Sequence, residues 1–331
     1  MRQGPELVRA TNPFAKEDRG TTWRLLLTTI AIFLATEAAI VAAPWWPAKL
    51  ALGVISALLS VRMFIFYHDY LHGAILQGSR VGNWVMNAVG YWTLAGPSVW
   101  KQTHDYHHKH TAKRVGASIG SYPVVSVDMW HAMSPTQRRA YVLVRHPLNM
   151  AFGYFTVFML GMCISPFRRN HQHKDGLIAL GLHYSLLAVV TLTLGWQAAL
   201  FAVVVPVATA CAVGSYLFYA QHNFPGMSLR DRSDWEYSFA ALRSSSMMDM
   251  PAVLHWFTGN IGYHHVHHLN HRIPFYRLPE AMAAIPELQS PTRTSFHPRD
   301  VLACLRLAAW DPRQGRMLEW DELDQARSQA A

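Results

Sequence analysis

The chain has 331 residues, 51% of them hydrophobic and only 15% charged, with a net charge of +9 and a mean hydropathy of +0.07. It is too apolar in places for an ordinary water-soluble domain and too polar overall to lie mostly in lipid, so a few membrane spans must alternate with long aqueous or interfacial segments. The basic excess is spread through loops beside apolar runs, which fits cytoplasmic loops and anionic headgroups and argues against nucleic acid as a partner.

The N-terminal stretch MRQGPELVRATNPFAKEDRG is too polar and proline-bearing for a cleavable signal peptide, so the first apolar run is expected to be retained as a span. Four stretches have the length a bilayer core demands, roughly 20 residues of helix: Leu25 to Ala43, Lys49 to Tyr67, Gly176 to Leu194 and Trp196 to Phe218. PWWPAK joins the first two; its prolines break the helix and its tryptophans suit the headgroup layer. Gly195 alone parts the last two, so the spans form two hairpins. Five Lys or Arg precede the first span, eleven lie between Arg80 and Lys174, and eleven follow Phe218, while the hairpin turns hold at most Lys49. The positive-inside rule then puts the N-terminus, the central segment and the C-terminal region in the cytoplasm. Two further apolar runs, Trp84 to Val99 and Leu148 to Ile164, carry glycines and aromatics and are expected to lie in the interface. The expected organisation is a tail over 1–24, a hairpin over 25–67, a segment over 68–175, a second hairpin over 176–218 and a C-terminal region over 219–331. Cys163, Cys211 and Cys304 have no CxxC spacing and read as reduced structural thiols.

The histidines are the feature composition does not explain. FYHDYLHG ends the second span with His68 and His72 at i and i+4; KQTHDYHHKH holds His104, His107 and His108; and HHVHH holds His264, His267 and His268. The last two groups share the spacing HxxHH. On a helix, positions i, i+3 and i+4 share a face, yet the adjacent pair diverges by about 100° around the axis, so one imidazole can lean toward each of two neighbouring metal ions. Eight such imidazoles exceed what one tetrahedral zinc needs, which predicts two ions. Imidazole suits several metals, but hydrolytic zinc chemistry would normally show a general-base Glu as in HExxH, and none accompanies these groups. Redox-active iron facing an apolar substrate is the better reading.

The three boxes resemble those of the membrane fatty acid desaturases, with HxxxH, HxxHH and HxxHH in the usual order, and the segment from Asp249 to Pro279, DMPAVLHWFTGNIGYHHVHHLNHRIPFYRLP, resembles the third-box region of the delta-12/omega-3 type. The resemblance spans about Arg62 to Pro279. It implies two irons held by His68, His72, His104, His107, His108, His264, His267 and His268, with a ninth ligand just past the last span, where FYAQHNFPG offers His222. It further implies a fatty acyl lipid substrate, O2, and two electrons from a separate ferredoxin or cytochrome b5-type donor, since the chain shows no haem-binding HPGG segment. Where close relatives commonly carry Cys-Gly in the first box, this chain has Tyr70-Leu71, a change that bears on the shape of the neighbouring substrate channel. The expected protein is thus all-α and polytopic, a four-span membrane enzyme whose cytoplasmic helical cap holds a histidine-ligated diiron centre and desaturates an acyl chain. A hydroxylase or carotenoid ketolase would use almost the same boxes. A histidine-rich metal transporter would instead want ligands at mid-membrane.

Other candidates carry a blander reading. His110, His131, His146, His171, His173, His271 and His297 read as solvent-exposed. His183, inside the third span, reads as a hydrogen-bond partner of another helix, and His265 as the less favoured alternative to His264. Asp69 and Asp105 each follow the first histidine of a box and either orient an imidazole or merely solvate a helix end. Glu37 lies inside the first span and is a functional candidate, or else protonated and bonded locally beside Thr36.

Overall fold

The computed structural model of the protein describes residues 2–116 and 119–323. The outermost residues of the two expected tails, 1 and 324–331, lie outside the described residues. A short amphipathic helix, α1 (Gly4–Thr11), precedes four helices long and apolar enough to cross a membrane: α2 (Arg19–Ala42), α3 (Trp46–Leu71), α6 (Asp175–Leu194) and α7 (Trp196–Ala220). The four apolar runs foreseen as spans lie in them, except that Ala43 is the C-cap of α2. The helices overrun the runs where a cap or a favourable sequence allows it. Asp18 accepts from the Thr21 amide and starts α2 six residues before Leu25, and α3 continues past Tyr67, so that His68 and Asp69 are helical.

The two hairpin turns differ in how they satisfy the backbone. Between α2 and α3, the Lys49 ammonium is buried and donates to the carbonyls of Ile40 at 2.7 Å and Val41 at 3.2 Å. It thereby caps the end of α2, where free carbonyls carry the negative end of the helix dipole. Between α6 and α7, Gly195 sits at φ 88°, a left-handed conformation that favours glycine. Trp45, Trp46 and Trp196 are exposed at these turns, as ring systems of the headgroup layer would be.

α3 and α7 form the middle of the span bundle, 61% and 50% buried along their most apolar windows, whereas α2 and α6 are 22% and 11% buried. Leu34 of α2 and Leu192 of α6 point outward, an arrangement lipid tolerates and water penalises. Gly53 lets the inner pair close up, since a Cβ there would stand 2.8 Å from the Phe201 carbonyl. His183 of α6 pairs with the Tyr154 hydroxyl at 2.9 Å, the interhelical bond its position suggested. Glu37 differs from expectation: its partner is the Ser56 hydroxyl across the hairpin, while neighbouring Thr36 bonds back to the Ile32 carbonyl.

The run Trp84 to Val99 is not one helix. It breaks over Thr93–Gly96 into α4 (Arg80–Trp92) and α5 (Pro97–His110), because the residue before a proline resists helical geometry. The run Leu148 to Ile164 begins as a short helix, Pro147–Ala151, and continues as a π-helical stretch over Tyr154–Ile164. The remaining cap uses short helices, among them α8 (Ala252–Phe257) and α9 (His264–Leu269). Among the described residues four short strands qualify the all-α expectation. β1 (Met247–Asp249) pairs in parallel with β2 (Arg293–Ser295), and β3 (Leu307–Asp311) pairs antiparallel with β4 (Arg316–Glu319).

Two buried arginines join cap to spans. Arg62 of α3 donates to Thr29 Oγ1 at 3.1 Å and to the Trp256 carbonyl, with its guanidinium over the Trp256 ring at 4.2 Å. Arg145 donates to Tyr219 Oη of α7 at 3.1 Å, to Asn223 Oδ1 at 2.5 Å and to the carbonyls of Pro123 and Leu307 at 2.8 and 2.9 Å. No carboxylate accompanies it in these bonds; neutral oxygens do the work. Arg145→Met would strand those buried acceptors, at a cost of about 3 kcal/mol. Thermal unfolding in detergent should show the Arg145→Met midpoint several degrees below that of the parent, and exposed Arg139→Met within about one degree of it.

Candidate metal centre

Three elements and one loop bring the histidines together. α3 carries His68, with His72 at its C-cap; α5 carries His104, His107 and His108; α9 carries His264, His267 and His268; and His222 follows α7 by two residues. All nine residues named from the sequence converge at one end of the span bundle, in two groups. His68, His72, His104, His108 and His267 form one, and His107, His222, His264 and His268 the other; within each, the potential ligand atoms all lie within 4.8 Å of one another.

The adjacent pairs diverge as helical geometry requires. His107 and His108 fall in different groups, as do His267 and His268. The second box thus gives two rings to the first group and one to the second, and the third box does the reverse. Within the first group His68 Nε2 stands 2.9 Å from His104 Nε2, and His108 Nε2 stands 3.2 Å from His104 and 3.1 Å from His267. Within the second, His222 Nε2 is 3.0 Å from His107 and 2.8 Å from His264, which is 3.1 Å from His268. Two imidazole nitrogens bound to one ion at about 2.1 Å and at right angles would be about 3.0 Å apart, so the spacing fits a shared cation.

Charge supports the same reading. Burial holds His72, His104, His107, His108, His264, His267 and His268 well below the ordinary imidazole range, and nearby imidazoles push in the same direction. Burial likewise takes His222 down to about 4, against the opposing pull of the Ser244 carbonyl on its Nδ1 at 2.9 Å. Neutral imidazole is the form that ligates a metal. No thiolate or carboxylate belongs to either group, a donor set suited to iron, copper or zinc.

Asp69 reaches His68 Nδ1 at 2.9 Å and accepts from the Phe275 amide at 2.7 Å, so one buried carboxylate orients a first-box ring and fastens it to the chain just after the third box. Asp105 does not share that role. It pairs with Lys101 at 2.8 Å one turn back and has no hydrogen bond to a box histidine, because its side chain emerges on the outer side of α5. His265 turns away to the Leu288 carbonyl at 3.0 Å. Of the residues taken as exposed, His110 bonds the Tyr106 carbonyl, His173 pairs with Ser98, and His146 and His297 cap helices.

His271 departs from that expectation. Its ring lies 4.7 Å from that of His72 and 5.2 Å from that of His108, and burial pushes it down to about 4. It stands four residues after His267, but α9 ends at Leu269, so helical spacing does not govern where its ring lies. Tyr70 and Leu71, the first-box departure, do not line the interior cavity between α3 and α7; Tyr70 donates to Asn83 Oδ1 at 2.9 Å.

From the two groups a narrow cavity of about 60 Å³ runs between α3 and α7, past Phe64, Ile65, Gly214 and Phe218, to Ser60 and Val207. His68, His104 and His264 line its near end, where the Trp100 ring stacks on His104 at 5.0 Å.

The fatty acid desaturase family model matches residues 40–299, a range that includes all nine histidines. A curated protein of Bacillus subtilis (strain 168), "Fatty acid desaturase", is 32% identical over 235 residues, 70% of this chain and 66% of its own length. The "Omega-6 fatty acid desaturase, chloroplastic" proteins of Spinacia oleracea and Brassica napus are 20% and 22% identical over 275 residues, 80% of this chain and 59% and 60% of their own lengths. The chain therefore spans somewhat under two thirds of the length of these relatives. With most of its length matched and both histidine groups inside the match, this chain belongs to the fatty acid desaturase family.

Proposed function

We propose that the protein is a membrane acyl desaturase that binds two irons, one in each histidine group, and removes two hydrogens from adjacent methylenes of a lipid-borne chain. The observation that carries this reading is the gathering of nine imidazoles, eight of them buried, in two groups of which His68, His104 and His264 line one end of an apolar cavity between α3 and α7. When bound, the irons supply the activation of O2 with two electrons from an external donor, a ferredoxin or a cytochrome b5-type protein. The balance is –CH2–CH2– + O2 + 2 e⁻ + 2 H⁺ → –CH=CH– + 2 H2O.

The chain's own residues do the rest. Burial keeps the His104 and His267 imidazoles neutral and available. Asp69 fixes the His68 ring from its Nδ1 side, so that Nε2 faces the group. Phe64, Trp100 and Phe218 exclude water and hold the chain so that two neighbouring methylenes face the histidines together, since loss of both hydrogens requires both carbons within reach. A hydroxylase or ketolase would tolerate looser positioning of the second carbon; the fit of a narrow slot favours desaturation. The histidines lie at the ends of the spans that carry the Lys and Arg excess, which supports a cytoplasmic centre.

Purified protein should carry about two irons per chain, and stoichiometric zinc alone in active enzyme would overturn the diiron reading. His107→Ala and His267→Ala, one from each group, should abolish turnover and lower iron content, whereas His171→Ala and His297→Ala should retain both; equal tolerance at all four positions would sink the ligand assignment.

Membranes given an acyl lipid, O2, a reductase and a ferredoxin should yield a product lighter by two hydrogens. A product heavier by one oxygen would move the protein to the hydroxylase reading and leave the metal assignment standing. Labels near Gly4, Lys113 and Arg316 should all report the cytoplasm, and one on the opposite face would contradict the topology.

A further inference from the structure

Outside the histidine cavity, the surface of the span bundle carries an unfinished set of polar groups. Asn83, Asn87 and Tyr91 fall at i, i+4 and i+8 of α4 and so share one face, which borders a groove whose other wall is Leu182, His183 and Leu186 of α6. α6 is the least buried of the four spans, and Leu182 and Leu186 are exposed, so the groove opens toward lipid.

Hydrocarbon offers no partners to such groups, and each bond left unmade there carries a free-energy cost. They satisfy one another only in part. Asn83 Oδ1 accepts from the Tyr70 hydroxyl at 2.9 Å and from Asn87 Nδ2 at 3.1 Å, but among the described residues Asn83 Nδ2, Asn87 Oδ1 and the Tyr91 hydroxyl have no partner. His183 is 3% exposed; its Nε2 pairs with the Tyr154 hydroxyl, and its buried Nδ1 has no partner.

The chemistry changes along the groove in one direction. Arg80 opens α4 three residues before Asn83 and so on the same face; it is exposed and, among the described residues, without a hydrogen bond or ion pair. At the other end Leu186 and Trp92 also line a second, apolar groove, which continues along α6 past Val190 and Leu194 with Phe33 and Val41 of α2 opposite. From Leu186 to Leu194 it follows α6 for eight residues, about 12 Å. Glu37 borders this part, and its carboxyl is engaged by the Ser56 hydroxyl. A cation, then uncharged hydrogen-bonding groups, then a hydrocarbon slot is the order of phosphate, glycerol esters and acyl chain in a phospholipid.

We infer that the two grooves together hold one bilayer phospholipid, with its phosphate at Arg80, its esters among Asn83, Tyr91 and His183, and one acyl chain along Leu186, Val190 and Leu194. The guanidinium suits a phosphate. Ester carbonyls accept from Asn83 Nδ2 and the Tyr91 hydroxyl, and from His183 Nδ1 in the tautomer whose Nε2 accepts from Tyr154. This lipid is not the reacting one: the Trp92 indole, which donates to Ser60 Oγ at 2.9 Å, stands between it and the histidine cavity. Its chain fills the gap between α2 and α6 and so fastens the least buried span to the bundle.

The test counts lipid bound to the full-length protein and involves no turnover, so its failure is separate from that of the proposed reaction. Protein purified in mild detergent is titrated with dioleoyl phosphatidylglycerol or with dioleoylglycerol, which has the same esters and chains but no phosphate, and occupancy is read by native mass spectrometry. The parent should bind one phosphatidylglycerol about tenfold more tightly than dioleoylglycerol. Arg80→Gln should erase that preference. Val190→Trp, which fills the chain slot and leaves the polar groups alone, should weaken both lipids several-fold, and Leu192→Trp, on the outward face of α6, should bind like the parent.

Equal affinity of the parent for the two lipids would overturn the inference, as would Arg80→Gln or Val190→Trp binding like the parent, the result expected of annular lipid only. Retention of a second polypeptide or of detergent in place of phospholipid would do the same. A further readout is thermal unfolding: phosphatidylglycerol should raise the midpoint of the parent and of Leu192→Trp but not that of Val190→Trp, and an equal rise in all three would contradict the site.

Discussion

Nine imidazoles gathered in two groups, with ligand atoms within 4.8 Å of one another in each and eight of the nine rings buried, can coexist only if nearly all are neutral. One protonated ring in either group would face the others within 4.8 Å in a medium that screens poorly. The arrangement turns that electrostatic cost into an advantage, because the neutral ring that burial enforces is the ring that binds a cation. Every other feature of the fold can be understood as holding these side chains in place against the preference of histidine for the surface.

The spans supply the rigidity. α3 and α7 are the inner pair, drawn together at Gly53, and each ends in a ligand candidate: His68 and His72 on one, His222 just past the other. The cap is then tied to them by buried polar groups. Asp69 joins the first box to Phe275, Arg62 joins α3 to the approach of the third box, and Arg145 joins α7 to the loops around Pro123 and Leu307. Such interactions give little net stability in a polar environment, but a broken one leaves a buried group unpaired, which is why they specify one arrangement.

The cavity follows from the same inner pair. Side chains at i, i+4 and i+8 of α3 and the facing stripe of α7 leave a slot whose near wall is imidazole and whose far wall is the Ser60–Trp92 pair.

Much of this was legible in the residues alone. Apolar runs of bilayer length marked four helices long enough to cross a membrane, paired as two hairpins, and histidines at i, i+3 and i+4 marked groups of potential metal ligands, because helical periodicity makes spacing a statement about direction. Tertiary structure decided the rest, through contacts between residues far apart in the chain. Local spacing could not show that His104 and His108 join His267 while His107 joins His264 and His268, nor that His271 packs against His72. Asp69 and Asp105 look alike in sequence, each following a box histidine; they part company because one emerges toward Phe275 in the buried seam and the other toward Lys101 and solvent. Lys49 and Arg62 likewise found their partners across helices. A sequence determines which faces a helix presents, but what stands opposite each face depends on how the helices pack.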